Sequence, residues 1–181
     1  MRKLFLLSLI VLVNFTFGQR FLTRSGEIKF DASMPNLVEI KGKSNTVSAI
    51  LDEATGNFAT SLIIKSLRFK VPLMEEHFNE NYMESSKYPN STFKGKILGF
   101  DAKKLTTNKV AFDVEGDLTI HGVTKKVKTK IYLSSSGGNV GGASGNFTVH
   151  AQDYNIEIPS LVKEKFADQI KVSFNFDLDN K

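Results

Sequence analysis

The sequence predicts an all-β protein, a barrel or sandwich of about eight antiparallel strands with one or two short helices. Three observations predict it. Most of the chain alternates apolar and polar residues with period two, the mark of a half-buried strand. One hairpin, Val110 to Leu133, can be registered residue by residue. Only two segments break the alternation, and each follows a proline.

The alternation is plainest at the C-terminal end. Ile170, Val172, Phe174, Phe176 and Leu178 point one way, and Lys171, Ser173, Asn175, Asp177 and Asp179 the other. Phe58, Thr60, Leu62 and Ile64 read as another strand, as do Phe93, Gly95 and Ile97, and later Phe147, Val149 and Ala151. Arg20 to Phe30 and Leu37 to Leu51 supply further extended segments, the second with an expected break near Gly42 to Asn45. Ser134 to Gly145, rich in Ser and Gly, reads as a flexible hairpin loop. Leu73 to Met83 follows Pro72 and spaces Met74, Phe78 and Tyr82 as one helical face. Pro72 suits a helix start, and Glu75 and Glu76 suit its positive end. Ser160 to Phe166, after Pro159, reads as a second short helix with Ser160 as N-cap.

In the hairpin, His121 and Gly122 take the two central turn positions. A type I′ turn needs positive φ at both, which Gly adopts freely and His tolerates better than most. Partners then sum to 243. Ile120 with Val123, Gly116 with Val127, Val114 with Thr129, Phe112 with Ile131, and Val110 with Leu133 form one face. Thr119 with Thr124, Asp117 with Lys126, Glu115 with Lys128, and Asp113 with Lys130 form the other. Three acid–base pairs in succession contribute roughly 0.2–1 kcal/mol each. A slip of one residue would carry all of them to the apolar face. One apolar face and one densely charged face suit a soluble barrel or sandwich, and not a transmembrane barrel, which is apolar outside. Lys125 departs from the pattern. It pairs with Leu118 on the apolar side, near the turn, and either snorkels out of the barrel end or offers a cation to a headgroup at a cavity mouth.

The first eighteen residues read as a secretory signal peptide: basic Arg2 and Lys3, an apolar run from Leu4 to Val13, and Thr16 and Gly18 before a cut at Gln19. The expected destination is the periplasm or the outside. No Cys follows the run, so there is no lipid anchor, and the fold must stand without disulfides. The chain of 181 residues carries 24 basic and 19 acidic side chains; the leader takes two basic ones, leaving 22 against 19, a net +3. Such a mild excess does not argue for nucleic acid.

Chemistry finds little support. Glu75, Glu76 and His77 are neighbours on one helix and cannot converge on a metal, His121 sits at a turn tip, and His150 falls on the outward side of its strand. There is no HExxH, no GxSxG and no P-loop, so neither an enzyme nor a cofactor is expected. Nothing fixes the oligomeric state.

Gly116-Asp117-Leu118-Thr119-Ile120-His121-Gly122-Val123-Thr124 resembles the central signature of the YceI-like family. Lys87-Tyr88-Pro89 with Phe93 is similar to that family's KYP segment, Phe78 to Met83 sits where its short helix falls, and Gly145 to Tyr154 with the last strand fits its C-terminal part. The resemblance covers Arg20 to Leu178. It departs after Asp153-Tyr154, where Asn155-Ile156-Glu157-Ile158-Pro159 stands in place of an Arg- and Gly-containing run. It implies a lipocalin-like antiparallel β-barrel that binds a long isoprenoid or related amphiphilic lipid inside, for storage, transport or envelope stress protection, with transient membrane contact.

An eight-stranded barrel can be filled by side chains or hold one small ligand. Phe58, Phe93, Phe112, Phe147, Phe174 and Phe176 all fall on inward positions and could fill it, which would make the protein a surface-binding envelope protein instead. Gly95, Gly116, Thr60, Thr129 and Ala151 are expected to leave space. The candidate lipid-binding wall is Phe58, Leu62, Ile64, Phe93, Ile97, Phe112, Val114, Leu118, Ile120, Ile131, Phe147, Val149, Val172, Phe174 and Phe176. Met74, Phe78, Tyr82 and Met83 are candidates for an adaptable lid, and Lys125 for a headgroup contact.

Overall fold

A computed structural model describes residues 19–180; the expected signal peptide at residues 1–18 lies outside the described residues. The chain forms β1 (Arg20–Ser33), β2 (Lys41–Asp52), β3 (Asn57–Ile63), β4 (Arg68–Phe69), α1 (Pro72–His77), β5 (Asn90–Ile97), β6 (Val110–Ile120), β7 (Val123–Ser136), β8 (Asn139–Val149), α2 (Ser160–Lys163), β9 (Phe166–Asp177) and β10 (Asp179–Asn180). Eight strands run antiparallel in the order β1-β9-β8-β7-β6-β5-β3-β2, and β1 pairs with β2 to close the barrel. The two-residue β4 and β10 are appended to β2 and β1.

The β6–β7 hairpin has the register the charges demand. Every partner pair from Val110↔Leu133 to Ile120↔Val123 sums to 243. His121 and Gly122 turn the chain with φ of 49° and 74°. Outside, Lys126 meets Asp117 at 2.9 Å, Lys130 meets Asp113 at 3.2 Å, and Thr119 and Thr124 hydroxyls lie 2.8 Å apart.

Three expectations need correction. β2 is not broken at Gly42 to Asn45 but runs through them, with Gly42 and Ser44 turned inward and buried. Ser134 to Gly145 is not a flexible loop: β7 and β8 extend into it, and Gly137 and Gly138 alone, both at positive φ, make the turn. Small residues here keep strand pairing because their neighbours, Leu133, Val140 and Ala143, are buried. The helical expectations shorten. α1 gives way at Phe78–Tyr82 to a π-helical turn, and Pro159, not Ser160, caps α2.

Gly95 and Gly116 also serve otherwise than expected. They are cross-strand partners, and a Cβ on Gly116 would stand 2.4 Å from the Gly95 Cα and from the Lys94 carbonyl oxygen. A Cβ on Gly95 would collide with the Phe93 ring at 2.5 Å. The pair lets β5 and β6 approach closely and opens no interior space.

The closure of the barrel carries an ionic clamp. Glu27 of β1 takes Lys29 and Lys43, the latter from β2, each at 2.6 Å. These two ammonium groups, Lys29 first, hold its carboxyl below the ordinary value of 4.5. A depressed folded-state pKa gives stability that is present above the unfolded value and lost as pH falls through the folded one. Glu27→Gln should therefore cost about 0.5–1 kcal/mol at neutral pH, screened because the lysines are half exposed. The gap between parent and variant in urea denaturation should close on acidification below 4.5, and a pH-independent gap would contradict the clamp. Gly116→Ala should cost about 1–3 kcal/mol through overpacking. A midpoint unchanged from the parent would show that β5 and β6 have room to part.

Candidate functional site

The barrel has two unlike ends. At the end holding both termini of the barrel, bulky side chains fill the interior. Phe21, Leu51, Ile97, Ile131 and Leu133 are almost wholly buried there, and Phe112 packs on Phe100 with ring centroids 6.0 Å apart. Toward the other end the strands enclose a cavity of about 550 Å³. Its wall is Phe58, Thr60, Leu62 and Ile64, then Phe93, Val114, Leu118 and Ile120, then Phe147, Val149, Val172, Phe174 and Phe176. The Phe58 ring centroid lies 6.2 Å from that of Phe93 and 6.4 Å from that of Phe176.

Most of the wall expected from the sequence thus surrounds one space. Ile97, Phe112 and Ile131 do not. They are buried in the packed core and do not line the cavity. Thr60, Thr129 and Ala151 reach the wall as expected. Sequence reasoning missed Ile28, Phe30 and Ala32 of β1, Ile40 before β2, Val47, Leu67, and the later Ile156, Ile158, Phe166 and Ile170.

The connections 34–40, 64–89 and 150–165 gather over the open end, together with the 121–122 turn. Phe78 stacks on Phe30 at 5.3 Å and tilts against Phe69 at 4.9 Å, while Tyr82 meets Phe166 at 5.6 Å. Glu75 pins α1 to β4 through the Arg68 guanidinium at 2.6 Å and the Phe69 amide at 3.1 Å. Phe78, Tyr82 and Met83 therefore form part of the cavity roof. Met74 is half-buried on α1 but does not reach the cavity. Lys125 pairs with Leu118 as expected, yet it is exposed and lies outside the wall.

His121 does more than turn the chain. Its ring is 9% exposed, with Nε2 2.8 Å from the Glu84 carboxylate and Nδ1 3.2 Å from the Tyr154 carbonyl oxygen. A neutral ring donates to one of these acceptors, and the protonated ring to both. The Tyr88 ring packs edge-on at 4.4 Å and lies under Gly122. One side chain thus ties the β6–β7 turn to two of the connections that cover the cavity. The alternation pattern carried no sign of this, because Glu84 and Tyr154 are remote in sequence and outside any strand. Among the described residues no three His, Asp or Glu side chains converge as a metal would require.

These features define a class: a closed antiparallel barrel, lipocalin-like in plan, built around an apolar cavity. The YceI-like domain profile matches residues 19–178, and the chain belongs to that family. Among curated relatives it is similar to a UPF0312 protein of Pseudomonas savastanoi pv. phaseolicola, 28% identical over 140 residues, covering 74% of this chain and 60% of that protein. The chain spans about three-fifths of that relative's length. A UPF0312 protein of Vibrio parahaemolyticus is 28% identical over 151 residues, 78% of this chain and 76% of its own. Among solved structures, a polyisoprenoid binding domain from Saccharophagus degradans superposes with a TM-score of 0.74 at 15% identity, over 91% of this chain and 99% of that one. Burkholderia cenocepacia BcnA superposes with a TM-score of 0.66 at 17% identity, over 84% of this chain and 94% of its own. At these identities the structural likeness shows the fold.

His121→Asn keeps a residue that tolerates the left-handed turn but removes the ring. It should cost about 1 kcal/mol and raise amide hydrogen exchange at Ser85, Lys87 and Tyr88 about tenfold relative to the β6–β7 strands. Unchanged exchange in that segment would show that Glu84 is held by other contacts.

Proposed function

We propose that the protein is a lipid carrier that holds the apolar chain of an isoprenoid or related amphiphile inside its barrel. The observation that carries this is the cavity itself. Its volume of about 550 Å³ lies within the ordinary range for bound small molecules, and its wall is aliphatic and aromatic. An interior filled by side chains would leave no such space.

Binding follows from elementary transfer energetics. A chain leaving water for this wall gains about 0.8 kcal/mol per buried CH₂. No hydrogen bond is required, so chain length and branching matter more than any single polar contact. The roof is made of Phe78, Tyr82 and Met83, side chains that adapt to varied contents. Met34, Leu37, Val38, Val71 and Leu73 are exposed on the connections at the same end, giving the mouth an apolar rim suited to taking a chain from a bilayer during transient contact. The proposed setting is the periplasm or the exterior, on the strength of the leader at residues 1–18. The proposed role is binding, with storage, transport or protection of the lipid as its purpose. The Saccharophagus protein described as a polyisoprenoid binding domain, which shares the fold, supports the same reading.

The test is uptake of a polyprenol by delipidated protein, followed by native mass spectrometry. Parent protein should gain a mass that organic extraction removes. Thr60→Trp, which places an indole in the cavity, should weaken uptake about tenfold while circular dichroism stays that of the parent. Asp113→Lys, on the outer face, should bind as the parent does. Equal binding by both variants would place the lipid elsewhere.

A further inference from the structure

The wall of the cavity is interrupted on one side. β7 pairs with β6 from Val123 to Leu133, and β8 pairs with β9 as far as Val149↔Ile170. Yet β7 and β8 pair with each other only from Tyr132↔Ser144 to Ser136↔Asn139. Above that point the two strands have no ladder between them. The gap has defined limits. Below, the Thr129 hydroxyl donates to the Asn146 carbonyl at 3.2 Å, a side chain standing where a strand bond would be. Above, His121 reaches the Tyr154 carbonyl oxygen at 3.2 Å. Some six residues of β7 lie between, a height of about 20 Å at the rise of an extended strand.

The cavity extends to this gap. Val127, Lys128 and Thr129 on one lip and Phe147, Thr148 and Val149 on the other all belong to its wall. Lys128 is the one charged residue of that wall among the described residues. Its position on β7 is outward-facing, opposite Glu115, but no carboxylate lies within 4.0 Å of its ammonium among the described residues, whereas Lys126 and Lys130 on either side are each paired. On the far lip Thr148 has Lys171 as its cross-strand neighbour, also exposed and without an ion pair among the described residues. The acids of β6 lie on the other side of β7. Strand edges without a ladder also leave backbone N–H groups seeking acceptors.

We propose that this gap is the polar subsite of the cavity: the headgroup of the bound amphiphile leaves the barrel sideways between β7 and β8, and it is an anion of the phosphate or carboxylate type held by Lys128. The assignment rests on the lipid-carrier reading and adds to it the ligand's polar end and where that end sits. It moves the headgroup contact from Lys125, which lies off the wall, to a lysine on the lip of the gap. The chain then lies in the apolar interior and the charge stays in contact with water, so no ion is buried.

The test compares a polyprenyl monophosphate with the polyprenol of the same chain length, on delipidated full-length mature protein, by quantitative native mass spectrometry. Parent protein should bind the phosphate about tenfold more tightly, the scale of a charge-assisted hydrogen bond. Lys128→Gln should bring the affinities for the two lipids within about twofold of each other. Lys128→Arg should restore the preference, and Lys126→Gln, which removes a paired lysine of equal charge, should keep it. Millimolar inorganic phosphate should not displace the phosphate lipid; displacement would make this a free-phosphate site and overturn the headgroup assignment. Polyprenol binding with no phosphate preference, or a preference that survives Lys128→Gln, overturns the subsite and leaves the carrier reading standing. Binding of neither lipid overturns both.

Discussion

Everything in this barrel depends on one constraint, that each strand keep a single face turned inward. The β6–β7 hairpin shows how strictly it is enforced. Asp113, Glu115 and Asp117 face lysines across the strands, and Phe112, Val114 and Leu118 occupy the alternate positions. Individually the exposed ion pairs contribute little. Collectively they make a slip of one residue prohibitive, since it would turn the three charges of the slipped strand inside. The energy of the ladder is thus less important than the alternatives it removes. Once β6 and β7 are fixed, β5 is placed by the Gly95–Gly116 contact, and the inward side chains of β3 and β5 are brought opposite one another.

The same constraint explains why the interior is hollow at one end and solid at the other. Inward positions at the end of the barrel near the chain termini carry Phe21, Leu51, Ile97, Phe112, Ile131 and Leu133, which belong to one buried hydrophobic cluster. Farther along the strands the inward positions include Thr60, Thr129 and Ser91, too short to meet. Phe30, Phe78 and Phe69 cluster at the mouth and close it from above instead of filling it. A six-phenylalanine count on inward positions therefore did not decide between a filled and an empty barrel. What decides it is the height at which each ring sits, and height follows from register between strands far apart in sequence.

That distinction sets how much could be read from the chain alone. The strand number, the hairpin register and most of the cavity wall followed from alternation. β1 and β2 did not, because both change parity partway. On β1 the inward residues are Phe21 and Thr23, then Gly26, Ile28, Phe30 and Ala32; on β2 they are Gly42 and Ser44, then Val47, Ala49 and Leu51. The irregularities coincide with register shifts between the two strands. Each is marked by a pair of hydroxyls, Thr23 with Ser25 and Ser44 with Thr46, whose side chains bond across the extra residue. A bulge of this kind bends a strand and resets its inward face, which is how a barrel corner is made. Simple alternation reads it as a break, and so Ile28, Phe30 and Val47 were missed.

The family signature has its own place in this scheme. His121 and Gly122, from the GDLTIHG run, pack against Tyr88, from the KYP segment, and His121 bonds to Glu84 and Tyr154. These are contacts among the connections that cover the barrel, and neither His121, Gly122 nor Tyr88 belongs to the cavity wall. Part of the signature, His121, Gly122 and Tyr88, thus holds turn and cap together, while Leu118 and Ile120 of the same run and Phe93 beyond the KYP segment face the contents. Two members can share the signature and the architecture and still differ in the wall side chains that lie outside it. The 155–159 segment, where this chain departs from the signature pattern, puts Ile156 and Ile158 on that wall and follows Tyr154 at the upper limit of the β7–β8 gap. Selectivity should consequently be sought in that segment and along the two lips of the gap, because there the chain is free to vary without loosening the barrel.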